Sequence, residues 1–265
     1  MVEVRGPIKG SLRAAGADFD GGGFGWFQVD DTQGRLIRVG ANIAIARRGI
    51  NGAAEIGKDL FVIIEVNQLK QAPAVEGVLP VVLSRWSPRS FADREVSAAD
   101  LNRIFEAAHW AASSYNEQPW RFLVGARGSV THKKIFSTLI GFNQGWAGSA
   151  PVLILGAANT KFSHNGSPNG YALYDLGAAA AILCLQAAAL GLKTHSMAGF
   201  DQEAARKAFE IPADYLLGAA IALGYQGEPS ALGQDQLIAM ETAPRERKPL
   251  SEIVLSAWGT AAKLG

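Results

Sequence analysis

The stretch RWSPRSF, residues 85–91, puts Arg85, Ser87 and Arg89 at alternate positions. In an extended segment alternate side chains project to the same side, so two guanidinium groups and a hydroxyl would share one face. Guanidinium forks match phosphate oxygens in pairs, which makes this a candidate phosphate clamp. Taken alone, the segment reads more readily as a solvated basic loop. A second alternating pair, Arg245 and Arg247, lies with Lys248 in the basic stretch PRERKP near the other end of the chain. The two pairs can serve one dianion only if folding brings them together.

Two further segments carry groups suited to a flat polar ligand. In SSYNEQPWRF, residues 113–122, Asn116 and Gln118 each offer an amide with both donor and acceptor atoms. Such amides suit the edge of a heterocycle, and they equally suit a plain polar loop. Pro119 stiffens the turn, and Trp120 is expected to anchor the following strand. In THSMAGFD, residues 194–201, Gly199 permits close backbone approach, while Asp201 can cap the helix that follows. The backbone N–H groups of such a turn point toward any electron-rich atom nearby, although an ordinary strand-to-helix connection has the same pattern.

Other chemistry-bearing residues form no constellation. The four histidines, at 109, 132, 164 and 195, lack metal-ligand spacing. Cys184 is the one cysteine, which excludes an intrachain disulfide and fits a reducing cytoplasm. The loop KFSHNGSPNGYALYD, flanked by Phe162, Tyr171 and Tyr174, either lines a substrate pocket or simply packs.

The elements that must position these groups follow from composition and periodicity. The 265 residues are 48% apolar and 18% charged with a formal net charge of +1. A sizeable core is feasible, and the balance of charge argues against a nucleic-acid or membrane-surface protein. The first residues show no apolar run of signal-peptide length, so a cytoplasmic location is the expectation. The run LGAAAAILCLQAAALGL, 176–192, is short for a membrane span and carries Gln186; it reads as a fully buried central helix.

Three parts are expected along the chain: a β-rich segment at 1–70, a Pro-containing linker at 71–82, and a layered domain at 83–265. GWFQVDDTQGRLIRVG reads as strand, turn and strand, and LFVIIEV (60–66) as a further strand. GGGFG at 21–25 lacks the spacing of a dinucleotide fingerprint. Beyond residue 83, SAADLNRIFEAAHWAAS predicts a helix with Ser97 as its cap; strand-like and helix-like segments then alternate to a strand at YLLGAAIALGY, which indicates an α/β or α+β layered domain.

Taken together, RWSPRSF, AASSYNEQPWRF, FNQGWAGSAPV, DLGAAAAILCLQAAALGL, MAGFD and RERKPLSEIV, in that order, resemble the FMN-dependent nitroreductase family over residues 83–256. The resemblance implies an α+β, three-layer fold with a central, mainly antiparallel sheet flanked by helices, and a homodimer with FMN at its interface. It implies that Arg85, Ser87 and Arg89 hold the ribityl phosphate with Arg245 and Arg247, and that Trp86 contributes backbone or side-chain contacts to the cofactor in the same segment. Ser113, Ser114, Asn116 and Gln118 would reach the flavin from the second subunit. Asn143 would meet the pyrimidine edge, and the turn of Met197, Ala198 and Gly199 would approach N5 and O4. Trp146 would face the pocket; Phe162 and Tyr171, in the loop that either lines a pocket or packs, are the further candidates for substrate contact. Pro88, Ala112, Trp146 and Ala198 depart from residues that relatives carry. The implied reaction passes hydride from NAD(P)H through flavin N5 to a small electron-poor acceptor, a nitroaromatic or quinone, and needs no catalytic side chain and no metal. Reductive dehalogenation, specialised dehydrogenation, or a non-enzymatic flavin-binding role are alternatives on the same fold.

Overall fold

The computed structural model describes residues 62–264, together with the backbone of three strands in the preceding segment. Those strands, β1 (Leu12–Arg13), β2 (Gly25–Asp30) and β3 (Leu36–Ala41), form an antiparallel sheet. Phe27 pairs with Val39 and Val29 with Ile37, which is the hairpin expected from GWFQVDDTQGRLIRVG. The chain divides into two compact units, Met1–Phe61 and Val62–Gly265.

The second unit begins with a correction. Residues 62–70 form a helix, α1, where a strand was expected over 60–66. A short apolar run such as FVIIEV does not distinguish strand from buried helix by itself. Tertiary contacts decide: Val66 and Lys70 are buried one helical turn apart, and Asn67 lies between them on the same side. The expected linker is irregular from residue 71 until Pro80 opens the short helix α2 (Pro80–Ser84).

The remaining elements make three layers. Helix α3 (Ala98–His109) starts at Ser97, whose side chain accepts from the Asp100 N–H. Strand β4 (Trp120–Ala126) follows, then α4 (Val130–Thr138), α5 (Gly141–Ala147) and β5 (Val152–Asn159). The long α6 (Ala172–Ala189) leads to β6 (Lys193–Met197), α7 (Gln202–Phe209), β7 (Tyr215–Gly224) and α8 (Asp235–Thr242). A one-turn helix, α9 (Leu250–Ile253), and a hairpin of β8 (Leu255–Ala257) and β9 (Thr260–Ala261) end the chain.

The four central strands run in the order β4-β5-β7-β6, every neighbouring pair antiparallel. Alternation along β5 sends Leu153 and Leu155 to one face and Val152 and Ile154 to the other, as the pleat requires. The first face packs on Ile135, Trp146, Ala205 and Leu237 from α4, α5, α7 and α8. The second packs on Ile104, Leu183 and Ala187 from α3 and α6. Gly125 lets α4 approach β4, since a Cβ there would lie 2.2 Å from the His132 backbone nitrogen.

Helix α6 is long and apolar enough to cross a membrane by length and composition, but in this fold it serves as a sheet-covering helix. It buries a stripe of Ala172, Asp175, Leu176, Ala179, Leu183 and Ala187, not its whole surface. The sheet offers α6 only one face, so Leu173 and Tyr174 remain exposed. Because Leu183 is completely buried in the second core, Leu183→Ala is expected to cost about 3 kcal/mol of unfolding free energy, measured by urea denaturation.

Candidate functional site

Extended backbone after α2 makes the expected alternation literal. Trp86, Pro88 and Ser90 are buried, while Arg85, Ser87 and Arg89 are partly accessible on the opposite side. Arg85 donates to Ser87 Oγ at 3.4 Å. The Arg245 guanidinium donates to the Arg85 carbonyl and, at 2.8 Å, to that of Leu83. The two distant basic segments therefore meet. Arg247 is exposed and donates to the Glu246 carbonyl, with its charge acting on Arg245.

Two lysines complete the cluster. Lys70 of α1 is 6% exposed and donates to the Met240 carbonyl at 3.2 Å. Lys193, the first residue of β6, donates to Asn67 Oδ1 at 2.9 Å. Both ammonium groups stand against the Trp86 ring, 5.0 and 5.7 Å from its centroid. Burial lowers the pKa of Lys70, and neighbouring Arg89 and Arg245 add to this against the opposing pull of Glu241. Burial, then the charge of Arg85, pushes Lys193 down to about 8.

The carboxylate that faces this charge is Glu241 of α8, completely buried. It accepts the backbone N–H of Arg89 at 2.9 and 3.1 Å and that of Ser90 at 3.2 Å. Burial raises its pKa, while these N–H groups and the charges of Arg89 and Lys70 act in the other direction. Neither lysine nor Glu241 carries a motif visible in the sequence. The Arg89 Nε is buried with no protein partner, a donor poised for an added acceptor.

A second group of candidates adjoins this cluster. Arg89 lies 5.9 Å over the Phe142 ring. Asn143, next in α5, is buried and donates through Nδ2 to the Gly199 carbonyl at 2.9 Å. Met197 is buried at the end of β6, and the Ala198–Gly199 turn follows. A Cβ on Gly199 would stand 2.6 Å from Ile140 Cδ1 and 2.9 Å from Asn143 Nδ2, so the turn is fitted to a residue without one. Trp146, read from the sequence as facing the pocket, is 3% exposed and sits in the core between Phe91 and His195. Its indole nitrogen also has no protein partner. His195 Nδ1 lies 3.0 Å from the Pro88 carbonyl.

The polar loop lies elsewhere. Ser113 Oγ accepts the Gln118 N–H at 3.0 Å, and the Ser114 N–H donates to Asp175 at 3.1 Å. Tyr115, Asn116 and Gln118 adopt positive φ of 52°, 55° and 50°, a region costly for residues with a side chain. The Gln118 amide is turned back onto the Asn116 carbonyl. Tyr115 packs edge-on against Phe162, and Tyr171 against Tyr174. A cavity of about 370 Å³ lined by Thr160, Pro168, Leu173 and Leu216 lies at this end of the sheet.

Sheet register separates the two groups. Trp120, which follows the loop, is level with Ala158 and so with Leu216, whereas Met197 is level with Ala220 and Lys193 with Gly224. The loop thus stands three strand spacings across from β6 and at least four residues along, on the order of 20 Å away. One chain does not bring Ser113, Ser114, Asn116 and Gln118 to the cationic cluster.

The nitroreductase family model matches residues 82–140 and 130–225. The chain belongs to that family. It is similar to a solved oxidoreductase containing FMN, at 32% identity and a TM-score of 0.67, covering 73% of this chain and 97% of that one. A Desulfovibrio desulfuricans protein solved in complex with FMN is 26% identical with a TM-score of 0.55, covering 69% of this chain and 98% of that one. A protein of Archaeoglobus fulgidus, provisionally named NADH dehydrogenase/NAD(P)H nitroreductase, is 30% identical over 155 residues, 57% of this chain and 86% of its own length.

Two outcomes are expected of the site itself. Gly199→Ala should displace Asn143 from the Gly199 carbonyl, read as a new amide environment in the Asn143 side-chain NMR signals. Burial, supplemented by the Arg89 charge and against hydrogen bonding to Pro88, pushes the pKa of His195 down to about 4. Between that value and the ordinary 6.5 the unfolded chain binds the additional proton, so stability falls as pH drops through this window. The loss should reach about 3 kcal/mol at most and be smaller in His195→Asn, checked by urea unfolding at pH 7 and 4.5.

Proposed function

We propose that this chain is a homodimeric FMN-dependent oxidoreductase that takes reducing equivalents from NAD(P)H and passes them to small electron-poor acceptors such as nitroaromatics or quinones. The observation that carries the reading is the cationic cluster. The charges of Lys70, Arg85, Arg89, Lys193 and Arg245 act on one another in one cluster, the buried Glu241 carboxylate acts on Lys70 and Arg89, and the buried Arg89 Nε is without a protein acceptor. Such a partly buried excess of positive charge favours a dianion, and the phosphate of FMN supplies one.

In this reading Arg85, Ser87, Arg89 and Arg245 hold the phosphate, with Arg247 adding charge from the exposed tail. Trp86 supports the segment from beneath, since its ring is buried and its indole N–H is bonded to Asn67 at 2.9 Å. Bound FMN would supply the two-electron chemistry of its isoalloxazine. Asn143 and the Met197–Ala198–Gly199 turn border the ring's polar edge, where backbone and amide donors stabilise added negative charge. Ala198 leaves only its backbone N–H for this role. Trp146 and His195 form an apolar, water-excluding floor, and His195 stays neutral at physiological pH.

Ser113, Ser114, Asn116 and Gln118 come from a second copy. Their separation from the cluster within one chain supports this, as does the exposure of Trp110, Tyr115 and Tyr174 around α6. Phe162 and Tyr171 then border the acceptor side of the partner's flavin. Relatives named as oxidoreductase and as NADH dehydrogenase/NAD(P)H nitroreductase support the reaction class.

Purified protein is expected to carry a flavin spectrum that bleaches with NADH or NADPH without oxygen and returns when a nitroaromatic or quinone is added. Colourless protein that takes up no FMN would end the proposal. The shared site has its own check: Arg89→Ala and Asn116→Ala homodimers should each bind FMN weakly, while co-expressed chains, which can form one intact site per heterodimer, should recover binding. No recovery on subunit exchange would show that both residues act within one chain.

A further inference from the structure

Helix α1 ends in the cationic cluster, although the family match begins only at residue 82. Asn67 Oδ1 accepts from both the Trp86 indole and the Lys193 ammonium, each at 2.9 Å. Lys70, one turn later, is nine-tenths buried, bonded to the Met240 carbonyl and set over the same Trp86 ring. In the extended segment Trp86 projects to the buried side, opposite Arg85 and Ser87, so the two lysines against its ring approach from the side away from the accessible guanidinium groups. The arrangement is a second layer of positive charge directly behind the first.

We propose that α1 is a lock on the phosphate seat: Lys70 and Lys193 form a second cationic layer behind Trp86, so that docking of α1 and binding of a dianionic phosphate strengthen one another. The proposal rests on the phosphate reading given above and extends it to a segment of this chain with no counterpart in the family match. Its physical basis is the cost of holding two ammonium groups away from water beside guanidinium groups. Burial opposes the charge on both lysines first; Glu241 favours that on Lys70 while Arg89 and Arg245 act against it, and Arg85 acts against that on Lys193. Glu241, a carboxylate acting on Lys70, is already engaged by the Arg89 and Ser90 N–H groups. A dianion in front of Trp86 would offset repulsion that otherwise works against keeping Lys70 buried. Linkage then requires the converse, that a docked α1 raises affinity for the dianion by the same factor. Lys70 and Lys193 act as positioning residues through Trp86 and through the field of the cluster, without touching the ligand.

The test separates charge from structure and the phosphate from the flavin. In the full-length protein, Lys70→Met is expected to weaken FMN binding on the order of tenfold, as loss of one nearby positive charge in a partly buried site predicts. It should weaken inorganic phosphate by a similar factor, read as the loss of phosphate-induced thermal stabilisation, and leave riboflavin affinity unchanged. Lys70→Arg should restore most of the loss. Equal weakening of FMN and riboflavin, a Lys70→Arg variant as weak as Lys70→Met, or unchanged FMN affinity would each overturn the proposal. If the wild-type protein binds phosphate in a Lys70-dependent way yet takes up no flavin, the flavin reading fails and the second layer stands. If Lys70→Met does not fold, hydrogen exchange in the wild-type protein decides: slower exchange over residues 62–70 on adding inorganic phosphate supports the lock, and unchanged exchange overturns it.

Discussion

Glu241 is buried to 0% exposure inside a cluster of lysine and arginine side chains. A carboxylate so placed loses its hydration and is tolerable only when its oxygens are fully engaged. Here the Arg89 and Ser90 N–H groups point into it, and the charges of Arg89 and Lys70 lie close by. The consequence is geometric as much as electrostatic. Helix α8 is fastened to the extended segment 85–90, whose alternation then determines which side chains are accessible. Arg245, only four residues beyond Glu241, is brought back onto the Arg85 carbonyl. Removing the carboxylate would free the very backbone that presents Ser87 and Arg89.

The antiparallel sheet imposes the second constraint. In the order β4-β5-β7-β6, β6 and β4 are opposite edges, so residues leaving them cannot share a small ligand within one chain. The cationic cluster, Asn143 and the Gly199 turn gather at the β6 edge. The strained loop of Tyr115, Asn116 and Gln118 gathers beside β4 and the start of α6, tied to Asp175 by the Ser114 N–H and, through the Glu117 carboxylate, to the Ser163 N–H. A loop that holds several side-chain-bearing residues at positive φ is over-determined by its contacts, a feature common where a segment must present groups in one fixed arrangement. The same helix α6 that covers the sheet with its Leu183 stripe leaves aromatic surface around its first turns, so one element links the core of a chain to the surface its second copy would meet.

Much of this was legible in the sequence, for local reasons. Ser97 and Asp201 cap helices because a short polar side chain can satisfy an orphan N–H two or three residues ahead, and that needs no distant partner. The β2–β3 hairpin follows from strand-forming residues flanking a turn. The alternation of Arg85, Ser87 and Arg89 is a property of extended backbone, and it appears in the burial pattern as expected. The all-antiparallel sheet agrees with the α+β fold that the family motifs imply, although alternating strands and helices alone leave a parallel sheet open.

What the sequence could not supply is whatever depends on distant segments meeting. The run VIIEV from Val62 became helix, not strand, because the Asn67 and Lys70 side chains find Trp86, Lys193 and Met240 on one helical face. Lys70, Lys193 and Glu241 stand singly in the chain, and a lone charged residue has no periodicity to betray it; the burial of Lys70 and Glu241 and the half-burial of Lys193 exist only because distant segments converge. Trp146 carries a family position but lies in the core, since Phe91 and His195 close over it. The sequence by itself therefore determined the caps, the hairpin, the alternating cationic face and, through its motifs, the family. Only the tertiary structure decided which charges are buried together and which site residues one chain can unite, because burial and electrostatic coupling depend on distance in space rather than separation along the chain.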